Sequence, residues 1–360
     1  MRASPGSLLN SMPPPSKKIQ SRSLGQNKLA QLNINLPPLP NTTVGSFPKS
    51  SELVEMRYKV SQGVVVASEL ERKEKIAIDA CIRDQLRLGL DVLTDGEMNR
   101  SDLVGFFAKK IDGFEPGGTV RSYGNRYYKK PVIKKKLSWT GPMTVETWQF
   151  AQRATHKPLK AIVTGPYTLM DWTFNEYYNS REAACEDLVA IIKKEVHALA
   201  DAGAKIIQID EPALSSRPQE FSLVADALNE ITSGLKSYFI LHFCYGDIST
   251  LWARIRTLPV DNFSIEATNS NFEILPLIKK FPTPKDFSIG VVDSHSHIVE
   301  SPRKLNTTLR QILKIIPAQQ LWLSPDCGLK TRTMEEAQSK IKVMVKSGEK
   351  KRAAILPSRK

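Results

Sequence analysis

Between residues 42 and 345, short apolar runs alternate with longer stretches in which apolar residues recur every three or four positions. The runs Thr42–Gly45, Val92–Thr94, Ala161–Thr164, Ile206–Ile209, Phe239–His242, Phe263–Glu266, Ser288–Val292 and Leu321–Leu323 have strand character, eight in all. The stretches between them have helical period. Leu188, Ile191, Ile192, Val196 and Leu199 form one stripe, with Gly203 where a C-terminal cap belongs. Ile78, Ile82 and Leu86 form another before Gly89, and Met334, Ala337, Ile341 and Val345 form a last one. Eight strand–helix units predict an α/β fold, a (β/α)8 TIM barrel. Polar groups follow nearly every strand, among them Ser46, Asp95-Gly96-Glu97, Asp210-Glu211, His242, Glu266, Asp293 and Asp326-Cys327. Barrels gather such strand ends into one site, whereas an open sheet keeps its first and last strands apart.

One interruption separates strands 2 and 3, where residues 95–160 replace a single crossover. Within it, 120–136 carries Arg121, Arg126, Lys129, Lys130, Lys134, Lys135 and Lys136 among Tyr123, Tyr127 and Tyr128. Alternating aromatics and turn residues predict an extruded basic β-hairpin. It is either a solvated hairpin whose lysines discourage edge pairing, or a docking place for a polyanionic substrate tail or an acidic partner. Single-stranded nucleic acid is the least favoured occupant.

Composition changes the picture mainly at the ends. The segment from Met1 to Ser51 has no acidic residue and is rich in Ser, Asn and Pro, so residues 1–35 are expected to form a disordered basic extension. The barrel is expected over 36–348, and 349–360 as a frayed basic tail. A basic, acid-poor start also fits an organelle transit peptide, the alternative to a cytoplasmic location. The net charge of +14 and pI near 9.5 are compatible with nucleic acid, an acidic protein or a polyanionic small molecule and select none of them. Four cysteines, at 81, 185, 244 and 327, give no disulfide framework and fit a reducing compartment. No apolar run approaches the ~18 residues of a membrane span.

Candidate chemistry lies in the strand ends. His242 and Cys244 are one residue apart and would point the same way from their strand; Glu266 and Cys327 end two later strands. Converging, the four make a site suited to Zn²⁺ rather than Mg²⁺ or Ca²⁺. Two thiolates and a carboxylate leave such a zinc electron-rich, a poor water-splitting acid but well suited to holding a second thiol as thiolate. Glu266, the hardest ligand, is the one expected to yield its place. Each residue has a structural alternative: buried thiols, a hydrogen-bonded core histidine, a salt-bridge carboxylate, or together a closed structural zinc. Cys81 and Cys185 fall within helical stripes, as core residues do. His295, two residues from Asp293, is a candidate general acid or an orienter of a ligand. His156 and His197 lie away from any strand end. Glu97 and Asp210 could hold a substrate ammonium or cap the following helices.

Taken in order, Thr43-Val44-Gly45-Ser46-Phe47-Pro48, Asp95-Gly96-Glu97, Thr164-Gly165-Pro166, Gln208-Ile209-Asp210-Glu211-Pro212, His242-Phe243-Cys244-Tyr245, Ser264-Ile265-Glu266, Asp293-Ser294-His295-Ser296 and Pro325-Asp326-Cys327-Gly328-Leu329-Lys330-Thr331-Arg332 resemble the C-terminal barrel of the cobalamin-independent methionine synthases. The resemblance spans about Leu36 to Val345. It implies a zinc-dependent methyltransferase barrel in which His242, Cys244, Glu266 and Cys327 hold zinc. It further implies that Ser46, Glu97 and Asp210 contact homocysteine, that Trp172 packs against the methyl donor's pterin, and that His295 protonates the departing folate nitrogen. Two departures bear on the donor: Asp95 stands where the longer enzymes usually have histidine, and His297 where they have proline. The family's second, N-terminal barrel is also missing, so the donor is either 5-methyltetrahydrofolate polyglutamate or methylcobalamin, free or on a carrier protein. The alternatives are methyl transfer involving another thiol such as coenzyme M, or a non-catalytic zinc- or RNA-binding barrel.

Overall fold

The computed structural model describes residues 22–122, 126–244 and 246–355. Its strands are β1 (Ile111–Glu115), β2 (Thr119–Ser122), β3 (Arg126–Lys129), β4 (Val132–Trp139), β5 (Ala161–Thr164), β6 (Phe174–Asn175), β7 (Ile206–Asp210), β8 (Tyr238–Phe243), β9 (Asn262–Ile265), β10 (Asp286–Val292) and β11 (Leu321–Pro325). Six of them form one parallel sheet in the order β11-β10-β9-β8-β7-β5. Every residue of these six is buried, as expected of strands covered on both faces.

The first two expected strands are present only as single bridges. Asn41 pairs in parallel with Leu323 of β11, and Leu93 pairs in parallel with Leu159 just before β5. Between them, the Asn41 carbonyl accepts from the Asp91 and Val92 amides at 2.9 and 3.2 Å. These bonds carry pairing from β11 round to β5 and complete the (β/α)8 ring. Pro40 before Asn41 has no amide to donate, and the Thr42 hydroxyl, at 3.0 Å from the Val92 carbonyl, takes the place of a ladder bond.

Helices fill the crossovers as the periodicity predicts. Ser180 caps Arg181–Asp201, whose Leu188, Ile191, Ile192, Val196 and Leu199 are buried, and Gly203 follows at φ 100°. Ala67–Leu88 ends on Gly89 at φ 86°. In Met334–Ile355, Ala337, Ile341 and Val345 are buried but Met334, at its first position, is exposed. Among the described residues no helix is long and apolar enough to cross a membrane.

The insertion between the second and third units is a pair of nested antiparallel hairpins. β1 pairs with β4, with β6 alongside in parallel, and β2 pairs with β3 beyond them. The extruded hairpin is thus β2–β3, while Lys134, Lys135 and Lys136 belong to the inner strand β4. Tyr123 lies outside the described residues.

Both chain ends differ from expectation. Residues 22–35, expected to be disordered, include a helix over Leu24–Gln31 with a capping box at Ser23. Its Leu29, with Ile34, packs against Val92, Ile206, Tyr238, Ile240 and Trp322, residues near the starts of their strands, and so plugs the floor of the barrel. Lys28 pairs with Asp261 at 2.7 Å, and the Ser23 hydroxyl donates to Asp286 at 2.9 Å. Basic, polar composition hides this helix because a few apolar side chains, Leu29 and Ile34 with Leu32 and Leu36 against them, seat the plug. The expected frayed tail from 349 is helical to Ile355, with the Arg352 guanidinium donating to the carbonyls of Pro38 and Leu39 and to Asp91. Residues 1–21 and 356–360 lie outside the described residues.

Candidate metal centre and amino-acid pocket

Strand alternation puts His242 and Cys244 on one side of β8 and its continuation, with Phe243 turned toward Phe263. The His242 Nδ1 lies 3.2 Å from the Ser264 carbonyl and 3.1 Å from its hydroxyl, which fixes the ring and leaves Nε2 as the nitrogen for the cysteines. Cys327 follows β11 and brings its Sγ to 3.9 Å from that of Cys244. The ligand atoms of His242, Cys244 and Cys327 all lie within 4.8 Å of one another.

The hydrogen bond between the thiols drives their pKa values apart. Cys244 is pushed well up, first by that bond and then by burial, and Cys327 is held well down by it and by His242. The pair therefore keeps one proton and one negative charge beside an imidazole. That donor set fits a soft divalent cation, which would take the place of the shared proton.

Glu266, the expected fourth ligand, is not among these three. It is buried one residue beyond β9, and its Oε1 accepts from Asn269 Nδ2 at 2.5 Å, while its charge helps to raise Cys244. What joins its loop to that of Cys327 is Asp326. The Asp326 Oδ1 accepts from the Ala267 and Thr268 amides and Oδ2 from the Asn269 amide, each at 2.9 Å. Gly290 is required beneath it, since a Cβ there would lie 2.1 Å from Asp326 Oδ1. A cavity of about 340 Å³ opens beside Cys244, Glu266 and Asn269.

Ser46, Glu97 and Asp210 come from three other units. Glu97 adopts φ 52°, and its amide donates to Asp95 Oδ1 at 2.8 Å. A Cβ on Gly45 would lie 2.5 Å from Glu97 Oε1, which accounts for the glycine. Ser46 adjoins the cysteine loop, its carbonyl accepting from the Leu329 amide at 2.7 Å. Asp210 is buried at the end of β7 and is pushed up to about 6 by desolvation, with Glu97 acting in the same direction and His242 and Lys160 opposing. The acidic pair thus shares one electrostatic environment.

Lys160 was not singled out from sequence. Its only sequence signal is a lysine immediately heading the short strand β5. Its Nζ donates to Gln208 Oε1 at 2.5 Å, and Gln208 Nε2 donates to Asp210 Oδ1 at 2.7 Å and to the Val44 carbonyl at 2.9 Å. Glu211 was noted only as a strand-end polar group. Its buried carboxylate accepts from the Tyr167 and Thr168 amides and the Thr168 hydroxyl, fixing the start of the helix Pro166–Asp171, for which Trp172 is the C-cap.

His295 is half-buried on the loop after β10, with its amide donating to Asp293 Oδ1 at 2.7 Å, and its charge contributes to lowering Cys327. His297 points elsewhere, with Nδ1 at 2.8 Å from Glu336 on the surface.

Comparison with known proteins identifies the family and the fold. The family model of the cobalamin-independent synthase catalytic domain matches residues 39–350. A methionine synthase of Saccharolobus solfataricus is 37% identical over 311 residues, 86% of this chain and 94% of that protein. One from Thermococcus kodakarensis is 36% identical over 317 residues, 88% of this chain and 94% of that protein. The solved structure of a B12-independent methionine synthase from Shewanella sp. W3-18-1, in complex with selenomethionine, superposes with a TM-score of 0.77 at 24% identity, covering 88% of this chain and 98% of that one.

Proposed function

The chain belongs to the family of cobalamin-independent synthase catalytic domains, and from that premise we propose that it methylates the thiol of homocysteine to give methionine, with zinc held by His242, Cys244, Cys327 and Glu266. The observation that carries this reading is the convergence of one imidazole and two thiols within 4.8 Å at the C-terminal end of a barrel. When bound there, zinc keeps a thiol deprotonated at neutral pH while leaving its sulfur nucleophilic.

The chain's own residues supply the rest. Glu97 and Asp210 pair with the ammonium of homocysteine, and Ser46, beside the cysteine loop, contacts its amino-acid end. The sulfur–carbon bond forms as the bond between methyl and donor breaks. Where the donor is 5-methyltetrahydrofolate, Trp172 packs on the pterin and His295 gives the departing nitrogen a proton, because an amine anion leaves poorly. Where it is methylcobalamin, no such proton is needed. The basic strands β2 and β3 serve the donor's anionic tail or an acidic carrier. Reduced thiols persist in the cytoplasm, where the reaction is placed. Glu97 and Asp210 oppose a coenzyme M reaction, since coenzyme M has no ammonium group.

The test is methionine formation by zinc-loaded protein given homocysteine with methyltetrahydrofolate mono- or triglutamate, or methylcobalamin, in parallel. Methionine from one of them is expected, and none from any would sink the proposal. A Cys327→Ser variant should lose both zinc and activity.

A further inference from the structure

We propose that Lys160 is a positioning residue for homocysteine: through Gln208 it fixes and balances the carboxylate of Asp210 that receives the substrate's ammonium. This rests on the amino-acid pocket proposed above.

The geometry leaves Gln208 one orientation. An ammonium can only donate, so the glutamine oxygen must face Lys160. A carboxylate and a carbonyl can only accept, so the amide nitrogen must face Asp210 and Val44. The observed contacts satisfy all three demands at 2.5, 2.7 and 2.9 Å. Asp210 Oδ1 is thereby occupied and held. Without Lys160, the buried Gln208 oxygen loses its donor, and only Asp210 and Val44 remain to hold the side chain.

Charge argues the same way. Lys160 is buried, and an ammonium inside a barrel is retained against a large desolvation cost. Burial pulls its pKa down to about 7, and the carboxylates of Asp210 and Glu97 act against that pull. Asp210 is buried and Glu97 half-buried, and a cation beside them offsets the repulsion between the two carboxylates. When protonated, Lys160 supplies that cation from beneath, while the substrate's ammonium arrives from above.

The decisive experiment uses full-length, zinc-loaded Lys160→Met, Gln208→Leu and Asp210→Asn variants. Homocysteine KM and kcat are measured with whichever donor supports turnover, alongside inhibition by 4-mercaptobutyrate, which is homocysteine without its amino group. Lys160→Met and Gln208→Leu should each raise the homocysteine KM about tenfold or more, the scale of a hydrogen bond to a charged group. Turnover at saturation, zinc content and inhibition by 4-mercaptobutyrate should stay within about threefold of the parent. Equal losses for the two thiols would mean a merely structural role and overturn the inference. So would an unchanged homocysteine KM in Lys160→Met when Asp210→Asn raises it. If Asp210→Asn also leaves KM unchanged, the pocket reading itself fails. Should Lys160→Met not fold, the Gln208→Leu result decides by the same criteria.

Discussion

Lys340 Nζ lies 3.1 Å from a carboxylate oxygen of Glu300, and both side chains are buried. The pair joins the last helix to the loop that carries His295, because Glu300 Oε1 also accepts the Asp293 amide at 2.8 Å and Asp293 in turn accepts the His295 amide. Removing one partner leaves the other charge buried and alone. Lys340→Met should therefore destabilise the protein by about 3–5 kcal/mol in urea unfolding. Lys340→Met/Glu300→Gln should recover much of that loss, since glutamine keeps an acceptor for Asp293; a double variant no more stable than the single one would refute the account.

Asp326 offers a test of how the two metal-side loops are joined. Asparagine there would replace one acceptor oxygen, turning a donor toward amides that also donate. Zinc affinity of Asp326→Asn, measured by chelator competition, should fall about 10–100-fold although no ligand has changed. An affinity equal to the parent's would show that the loops keep their places without it.

Gly45→Ala addresses the other side of the pocket. The added methyl would meet Glu97 Oε1 at 2.5 Å and Ile162 Cδ1 at 2.9 Å, so the carboxylate must move. Homocysteine KM should rise by about tenfold while zinc content is unchanged. A parental KM would show that Glu97 can shift without consequence.

The floor of the barrel predicts a pH effect. Burial pushes Asp286 up to about 7, against the hydrogen bonds from Tyr238 and Ser23. A folded-state value above the unfolded one favours the protonated, folded form. The stabilisation is full below the unfolded value near 4 and is lost as pH rises toward 7. Asp286→Asn should flatten this part of the stability profile, measured as urea midpoints from pH 4 to 8; an unaltered slope would refute it.

At the same place, Gly25→Ala reverses a usual rule. Alanine ordinarily favours a helix over glycine by up to ~1 kcal/mol. Here its Cβ would lie 2.0 Å from Asp286 Oδ2, and the plug helix must shift. A net loss of about 1–3 kcal/mol is expected, read by thermal or urea unfolding.

The six longer strands could be read from sequence because burial on both faces leaves continuous apolar runs, and β5 matches its expected bounds to the residue. The segments at Asn41 and Leu93 are shorter than the runs that suggested them, since hydroxyl groups and a proline there replace regular pairing. His242, Cys244 and Cys327 could be found because strand ends converge in a barrel whatever their separation in sequence. The hydrogen bond of Glu266 with Asn269 is a local contact that strand spacing does not encode. Lys160 and Asp326 act through partners 48 and 57–59 positions away, and one sequence gives no sign of such pairings. The plug helix escaped notice because composition averages over a segment, whereas Leu29 and Ile34 seat it one by one.

The contacts of Arg352 with Pro38, Leu39 and Asp91 have a consequence for synthesis on the ribosome. Asn41, near the start of the ring, finds its parallel partner only at Leu323, and the clasp over that junction waits for residue 352. The emerging chain can pair this segment with Asp91 and Val92 early, but its other side stays open while nearly all the rest is translated. Closure is thus a late, long-range event, completed when the open side of the Asn41 segment meets β11.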